Sequence, residues 1–360
     1  MPTRMVTVSE STRRATRLIA FGLLAFISVR TEILAAQSPA DSVARWTQAL
    51  QSGSDSAKIE ALDRLAGMLA GMPAQQWPRA TQTALLAELN RLHTALLSGV
   101  SVAPGTAEDH GEYYMTLAGI VAGMRTREAA LALVPAVEVG TGIQQRVARY
   151  GGDDVVAPLV ALVAKRYSVV DALETLGFVW FWADSTGSAL SETSRGVIIS
   201  TLAAAAASGE DSQIMGATAA LGRMKNPSLL PLASVMRNAT IAQGGLGNFA
   251  RGNLDREIIP ALSAAQSARS NAALLEGVAR MVAVICASPS TSQRHGTCQS
   301  TVNDVATSAE HLSAGRNGPA RNVLNTITDR LLRAKGSGEF TDTEYALLTG
   351  DLAALLARPW

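Results

Sequence analysis

Residues 216–236 read GATAALGRMKNPSLLPLASVM and decide the fold of this chain of 360 residues. Small and apolar residues up to Leu221-Gly222 predict the end of one helix, and Asn226-Pro227 predicts a tight turn. A second apolar segment follows at once from Leu229, which predicts another helix. Helices that follow each other across so few residues are the units from which stacked helical arrays are built.

The composition predicts an all-α fold. Hydrophobic residues make up 48% of the chain, which is enough for a folded core, while aromatic residues make up only 4%. The apolar content is dominated by alanine and leucine, which favour helix. No sustained alternation of β-branched and polar residues occurs along the chain, so strands are not expected.

The charge balance argues against nucleic acid as a partner. The chain has 31 basic and 30 acidic residues, for a net charge of +1, and no cluster of basic residues stands out beyond the N-terminal region. A nucleic-acid-binding protein is expected to concentrate positive charge on one face.

The N-terminus has the three parts of a secretory signal. Arg13, Arg14 and Arg17 precede an apolar run at 18–29, and the small residues Ala35-Ala36 follow it. The run is too short to cross a bilayer comfortably, which takes about 20 residues. We therefore predict a signal peptide at 1–36, a mature chain of 37–360 without a stable membrane span, and export to the periplasm or the medium. The alternatives are an uncleaved anchor and a buried helix.

The chain has two cysteines, Cys286 and Cys298, which flank the polar segment 288–292. A disulfide between them is compatible with an oxidising compartment and would contribute about 3 kcal/mol in the chain-entropy model. One alternative is a metal site that includes His295, which lies between the cysteines, although a fourth ligand is missing. The other is a pair of free, buried thiols.

Helical spacing recurs along the mature chain. One predicted helical stripe consists of Leu85, Leu89, Leu92 and Leu96. Near the C-terminus, Thr341 or Asp342 is the predicted cap of another helix. Glycine, proline and polar clusters predict breaks between helices at 71–73, 98–111, 139–152, 184–191, 238–253, 288–297 and 336–338.

Two features recur along the chain in a way that suggests repeats. Leu176-Gly177 and Leu221-Gly222 end comparable predicted helices 45 residues apart. A proline in an apolar helix start recurs as V-P-A-V at Pro135, A-P-L-V at Pro158, L-P-L-A at Pro231 and I-P-A-L at Pro260. Proline is tolerated in the first turn of a helix because the amides there have no partner within the helix.

These features resemble the HEAT and armadillo-type helical repeat families, and short HEAT-like repeats in particular. The best match is 216–236, followed by 157–180 and then by 117–137. The resemblance implies an α-solenoid of antiparallel helix pairs that binds a partner along its concave face. An irregular multi-helix bundle is the alternative fold.

Candidates for chemistry are few. His93 lies on an apolar helix face, which favours a packing role. The segment 108–112 (EDHGE) gathers three carboxylates and an imidazole that could bind a divalent cation, but acidic residues at a solvated helix start explain it as well. The sequence contains no H-E-x-x-H, G-x-S-x-G or G-x-x-x-x-G-K motif and no paired C-x-x-C motifs. We expect no catalytic residue, no metal and no cofactor.

The aromatic residues are concentrated in one short segment. Phe178, Trp180, Phe181 and Trp182 are nearly consecutive, so they cannot all lie on one side of a helix. Core packing explains most of them, but Phe178, Trp180 and Trp182 are also candidate partner contacts. A second candidate is Arg251, in a predicted inter-helix loop at 243–253.

The expected function is non-catalytic. The sequence predicts a scaffold that binds a protein or peptide whose identity it does not specify. The alternative is a metal-dependent or acid/base enzyme of the cell envelope, built on a helical scaffold with Asp109 and Glu112 as the reactive carboxylates. A passive structural role in the envelope is a third possibility.

Overall fold

Helices connected by short turns make up the part of the chain that the structure describes. The structure is a computed structural model, and it describes residues 39–97, 107–187, 190–240, 246–287 and 292–359. No β-strand occurs among these residues, so the all-α prediction is confirmed. The predicted signal peptide at 1–36 and the mature start at Gln37 lie outside the described residues.

The described residues contain seventeen α-helices. They are α1 (Pro39–Ser52), α2 (Asp55–Leu69), α3 (Arg79–Leu97), α4 (Ala107–Gly123), α5 (Arg127–Ala132), α6 (Thr141–Gly151), α7 (Val156–Ala164), α8 (Val169–Thr186), α9 (Glu192–Ala207), α10 (Asp211–Met224), α11 (Leu230–Thr240), α12 (Leu246–Asn253), α13 (Ile259–Ser267), α14 (Asn271–Cys286), α15 (Ser292–Ser313), α16 (Asn317–Gly336) and α17 (Asp342–Leu356). Short 3-10 helices lie at Ala74–Gln76, Val134–Val139, Gly152–Val155 and Pro227–Leu229, and a π-helical turn at Leu254–Ile258.

The chain divides into two units, residues 1–42 and 43–360. The described part of the first unit is residues 39–42, which form the first turn of α1. All other described residues belong to the second unit. Among the described helices, each is too short or too polar to cross a lipid bilayer.

Helices occupy most of two predicted breaks, 139–152 and 238–253, and the first residues of α15 lie in a third, 288–297. Residues 139–152 contain α6, whose buried face includes Ile143 and Val147. Gly140 and Gly152, which flank the helix at positive φ, made the segment resemble a loop. The loop predicted at 243–253 contains α12, which runs into the π-helical turn. Burial of Ala250 and Leu254 outweighs the helix-weakening effect of its glycines, about 1 kcal/mol each.

The predicted helix starts agree with the structure. Pro135, Pro158, Pro231 and Pro260 each lie in the first turn of a 3-10 or α-helix. Thr341 caps α17, since its hydroxyl accepts a hydrogen bond from the Glu344 amide and the Glu344 carboxylate accepts one from the Thr341 amide. This reciprocal arrangement satisfies two amides at the helix start.

Helices of the second unit contact helices two positions away along the chain. One series of such contacts joins α2, α4, α6, α8, α10 and α12. A second series joins α7, α9, α11 and α13, and α3 contacts α5. These helices therefore pack beside the next member of their own series, and many of them also pack against a neighbour in sequence.

Two glycines let α8 and α10 approach closely. A Cβ atom added to Gly177 would lie 2.4 Å from the Ala220 carbonyl oxygen and 2.6 Å from the Ala220 Cα. A Cβ atom added to Gly216 would lie 2.8 Å from a methyl carbon of Leu173. Only glycine fits at such distances, so the Leu-Gly pair at 176-177 marks a helix contact rather than a helix end.

A turn in which a basic residue at positive φ directly precedes a helix-capping residue occurs twice among the described residues; Arg166, the third basic residue at positive φ, is not followed by such a cap. Arg125 after α4 has φ 55°, and Lys225 after α10 has φ 51°. The next residue caps the following helix in both places: Thr126 accepts from the Ala129 amide, and Asn226 accepts from the Ser228 amide. The two turns are 100 residues apart and are each preceded by a methionine.

The C-terminal helices depart from this order. Helix α15 packs on α16, while α17 packs on α14 and on the earlier helix α11. A buried polar cluster holds α17 against earlier parts of the chain. In this cluster, Asp351 accepts hydrogen bonds from Ser228, Gln266 and Arg269. The sequence separations are 82 to 123 residues, so this cluster joins distant parts of the chain.

Cys286 and Cys298 form a disulfide bond in the structure, in agreement with the predicted pairing. Cys286 is the last residue of α14. Cys298 lies inside α15, which begins at Ser292, earlier than the predicted break at 288–297 implies. Because each sulfur is bonded to the other, neither is a thiolate ligand for a metal site with His295.

Candidate functional site

The aromatic segment of α8 lies mostly in the core. Phe178 is 6% exposed and Trp180 is fully buried, so neither offers a surface to a partner. The Trp180 indole donates a hydrogen bond to Asp184 (2.9 Å), and the Arg195 guanidinium lies over its ring at 4.6 Å. Trp182 is partly exposed, with the Arg149 guanidinium 4.9 Å from its ring centre.

A groove opens beside this segment, where α8, α10 and α12 meet. It has a volume of about 320 Å³, and we call it the α8–α10–α12 groove. Its lining is Val170 and Glu174 from α8, Met215, Thr218, Ala219, Gly222 and Arg223 from α10, and Phe249, Ala250, Asn253, Glu257 and Ile258 from α12 and the π-helical turn. Arg251, the fourth predicted partner residue, is a partly exposed residue of α12 that is not part of this lining.

The apolar part of the groove is unusually exposed. The Phe249 side chain is 59% exposed, the largest exposure among the big hydrophobic residues of the described chain. Val170 and Met215, which line the same groove, are partly exposed. Exposed aromatic and methionine side chains in a concave site are typical of protein-binding surfaces.

An ion pair forms one rim of the groove. Arg223 donates to Glu174 through Nε at 2.8 Å, and its Nη2 lies 2.7 Å from the same oxygen. The buried ring of Phe178 lies 4.9 Å from the Arg223 guanidinium. Phe178 is therefore not part of the groove lining. It supports the position of Arg223, which is, by a cation–π contact.

One polar atom of the groove has no hydrogen-bond partner. Thr218 is 3% exposed, and its hydroxyl is buried without a partner in the described chain. A buried hydroxyl without a partner costs about 1–3 kcal/mol. A ligand that supplies a hydrogen bond at this point would recover part of that cost.

Carboxylates lie beside the groove at the start of α8 and on the 3-10 helix Val134–Val139, and we call Glu138, Asp171 and Glu174 the acidic strip. Burial raises the pKa of Asp171, and the charges of Glu174 and Glu138 raise it further. Glu138 accepts hydrogen bonds from the hydroxyls of Tyr167 and Ser168, each at 2.8 Å. The negative charges of Glu138 and Glu174, which both act on Asp171, indicate that a cation next to this strip would be stabilised.

A larger cavity, of about 590 Å³, lies between α2 and α4. Its lining combines small residues such as Ala66 and Gly119 with Trp77 and with the polar side chains of Gln75, Thr116 and Arg125. The Trp77 indole already donates to the Met72 carbonyl (3.1 Å). The α8–α10–α12 groove is the better candidate because it combines an exposed aromatic side chain with an unsatisfied hydroxyl.

The predicted cation site at 108–112 lies partly outside the described residues, because the side chains of Glu108 and Asp109 are not described. Within the described residues, no three histidine, cysteine, aspartate or glutamate side chains converge as metal ligands. Glu112 lines a small cavity of about 110 Å³ together with Asp63 of α2. Burial raises the pKa of Asp63, and the charge of Glu112 adds to this effect.

His93 is a packing residue, which agrees with its place on an apolar face. Its ring is 3% exposed, and Nε2 lies 2.8 Å from the Tyr114 hydroxyl. The Tyr114 hydroxyl also lies 3.5 Å from the Pro135 carbonyl oxygen, and Nδ1 of His93 is buried without a partner among the described residues. Burial lowers the pKa of His93 to about 4.

We expect His93 to make folding stability depend on pH. The unfolded chain binds a proton near pH 6.5 and the folded chain only near pH 4, so stability falls as the pH falls through this window. The free energy of unfolding should drop by about 2 kcal/mol from pH 7.5 to pH 5 on account of this residue. Urea titrations at several pH values measure it, with His93→Phe as the non-titrating variant.

The exposed His295 provides the control. His295→Gln should keep the pH dependence of the wild-type chain, whereas His93→Phe should show a profile flatter by about 2 kcal/mol across the same window. Equal profiles for wild type and His93→Phe would contradict the assignment of a neutral, buried imidazole.

Searches of protein-family models, of curated proteins and of solved structures return no match to this chain.

Proposed function

We propose that this protein is an exported, HEAT-like helical repeat protein that binds a segment of another protein in the α8–α10–α12 groove. Its role in this proposal is non-catalytic. The contacts between helices two positions apart support the repeat, because stacked helix pairs bring alternate helices side by side. The recurring turns at Arg125 and Lys225 support it as well. The return of α17 limits the regular array to the helices before α14.

The exposure of Phe249 in a concave site is the observation that carries the proposal. Leaving a phenyl ring 59% exposed is unfavourable in water, and a partner side chain that covers it together with Met215 gains about 25 cal/mol for each Å² of apolar area buried. The unpartnered Thr218 hydroxyl adds a directional contact.

The acidic strip predicts which peptide fits. Glu174 is neutralised by Arg223, but Asp171 and Glu138 have no arginine or lysine within ion-pair distance among the described residues. A peptide with a large apolar residue next to a lysine or arginine would fill the groove and place its cation beside the strip. This is the partner chemistry that the proposal specifies.

A peptide selection tests the proposed function. Random linear peptides displayed on phage are selected against the purified chain, and the affinity of the enriched peptides is measured by fluorescence anisotropy. We expect sequences with an apolar residue next to lysine or arginine, and about tenfold weaker binding to Phe249→Ala, which corresponds to 1.4 kcal/mol.

Leu332 of α16 offers a matched control, because it is 54% exposed on a different surface. Leu332→Ala should bind the enriched peptides as the wild-type chain does. Failure to enrich any peptide, or equal affinity of Phe249→Ala and Leu332→Ala, would reject the groove as the binding site.

A further inference from the structure

A second concave site lies where the end of α8 meets the turn after α10, and we call it the Lys225 pocket. It has a volume of about 380 Å³. Three cations line it, Lys225, Arg269 and Arg280, against a single carboxylate, Asp184, and the ring of Phe181 forms an apolar wall. The charged groups of the lining therefore sum to +2.

Two of the cations are held by other groups. Arg269 is 20% exposed, and its Nη1 donates to Asp351 at 2.9 Å and to the Ser228 hydroxyl at 3.0 Å. Nη1 of Arg280 lies 3.6 Å from Asp184, and its Nη2 lies 3.7 Å from the largely exposed Glu276. The hydrogen bonds fix the Arg269 guanidinium at the pocket before any ligand arrives, while the longer ion pairs keep Arg280 near it.

Asp184 does not cancel the positive charge. Its carboxylate accepts from the Trp180 indole at 2.9 Å and pairs with the buried Arg195, also at 2.9 Å. Glu192 lies 3.9 Å from the same arginine. Asp184 is therefore shared between Arg195 and Arg280, Arg269 is paired with Asp351, and Lys225 is the one cation of the lining without a carboxylate partner among the described residues.

Lys225 itself is the most informative residue. Its φ of 51° belongs to the left-handed region, where glycine is the usual residue after a helix. No carboxylate of the described residues lies within ion-pair distance of its Nζ, which lies 5.9 Å from the centre of the Phe181 ring. Because Arg125 and Arg166 adopt the same backbone conformation, the informative feature is the unpaired cation itself, which lies beside an aromatic ring on the pocket wall and is available to a ligand.

We infer that the Lys225 pocket binds a tetrahedral oxyanion, a phosphate or a sulfate, attached to an apolar group that packs on Phe181. Arginine and lysine are the side chains that bind such oxyanions, arginine through its planar fork and lysine as a point charge. The volume exceeds that of the oxyanion alone and leaves room for the attached group. This inference does not depend on the α8–α10–α12 groove, with which the pocket shares no lining residue.

Isothermal titration calorimetry of the full chain in low-salt buffer tests whether the Lys225 pocket binds an oxyanion. The probes are phenyl phosphate, phenyl sulfate and inorganic phosphate. We expect the two esters to bind more tightly than inorganic phosphate, and the tighter of the two identifies the oxyanion. Lys225→Gly should weaken binding of that ester about tenfold while the melting temperature stays equal or rises, because glycine suits the positive φ.

Arg280→Gln should weaken binding to a similar degree. Arg79→Ala is the control, since Arg79 is exposed at the start of α3 and its loss removes one positive charge elsewhere. Unchanged ester binding by Lys225→Gly would overturn the inference, as would the absence of ester binding by the wild-type chain or an equal loss in Arg79→Ala.

Discussion

Asp351→Ala is expected to lower the free energy of unfolding by about 3–5 kcal/mol, the cost of removing one partner from a buried ion pair. The Asp351 side chain is 1% exposed, and its carboxylate accepts from Ser228, from Gln266 at 2.8 Å and from Arg269 at 2.9 Å. Its removal leaves the Arg269 guanidinium, itself only 20% exposed, without a counter-charge. Denaturant titration followed by circular dichroism measures the change.

The control for this variant is Asp329→Ala, which removes an exposed carboxylate from α16. A surface change of this kind is expected to stay within about 0.5 kcal/mol of the wild-type value. Asp351→Asn should be intermediate, because the amide retains an oxygen that accepts hydrogen bonds but lacks the charge. Equal stability of Asp351→Ala and Asp329→Ala would show that the cluster does not anchor α17.

Gly177→Ala is expected to lower the free energy of unfolding by about 3 kcal/mol, the upper part of the range for an overpacked core. The added methyl group would lie 2.4–2.8 Å from backbone atoms of Ala220, which cannot rotate away as a side chain can. Helices α8 and α10 would have to separate, and the groove between them would change with them. Thermal and urea unfolding measure the effect.

Gly222→Ala is the matched substitution, made in α10 instead of α8. A Cβ atom there would lie 3.5 Å from Ile258, an ordinary contact distance. The higher helix propensity of alanine should leave stability unchanged or raise it by up to about 1 kcal/mol. If both alanine variants lost stability equally, the close approach of α8 and α10 would not be the reason.

Much of the helical framework follows from local sequence. Three features were predictable because they depend on neighbouring residues or on short separations along the chain. They are the prolines in first turns, the Thr341 cap and the Cys286–Cys298 pair. Helices α6 and α12 were missed because glycines mark their ends, while the burial that stabilises them comes from other helices.

The groove was harder to predict than the framework. It requires residues from three helices to meet, and nothing local in the sequence brings Val170, Met215 and Phe249 together. The prediction at 178–182 named Phe178 and Trp180, which the structure places in the core. Phe249 is one of few aromatic residues in this chain, but its exposure on a helix beside α10 could not be read from a segment predicted to be a loop.

A crystal structure of the chain bound to a selected peptide tests the central proposal most directly. We predict that the apolar side chain of the peptide lies between Val170, Met215 and Phe249, with its neighbouring cation beside Asp171. Two results would contradict this account. One is a peptide bound on another surface, and the other is a structure in which helices α8, α10 and α12 do not lie side by side.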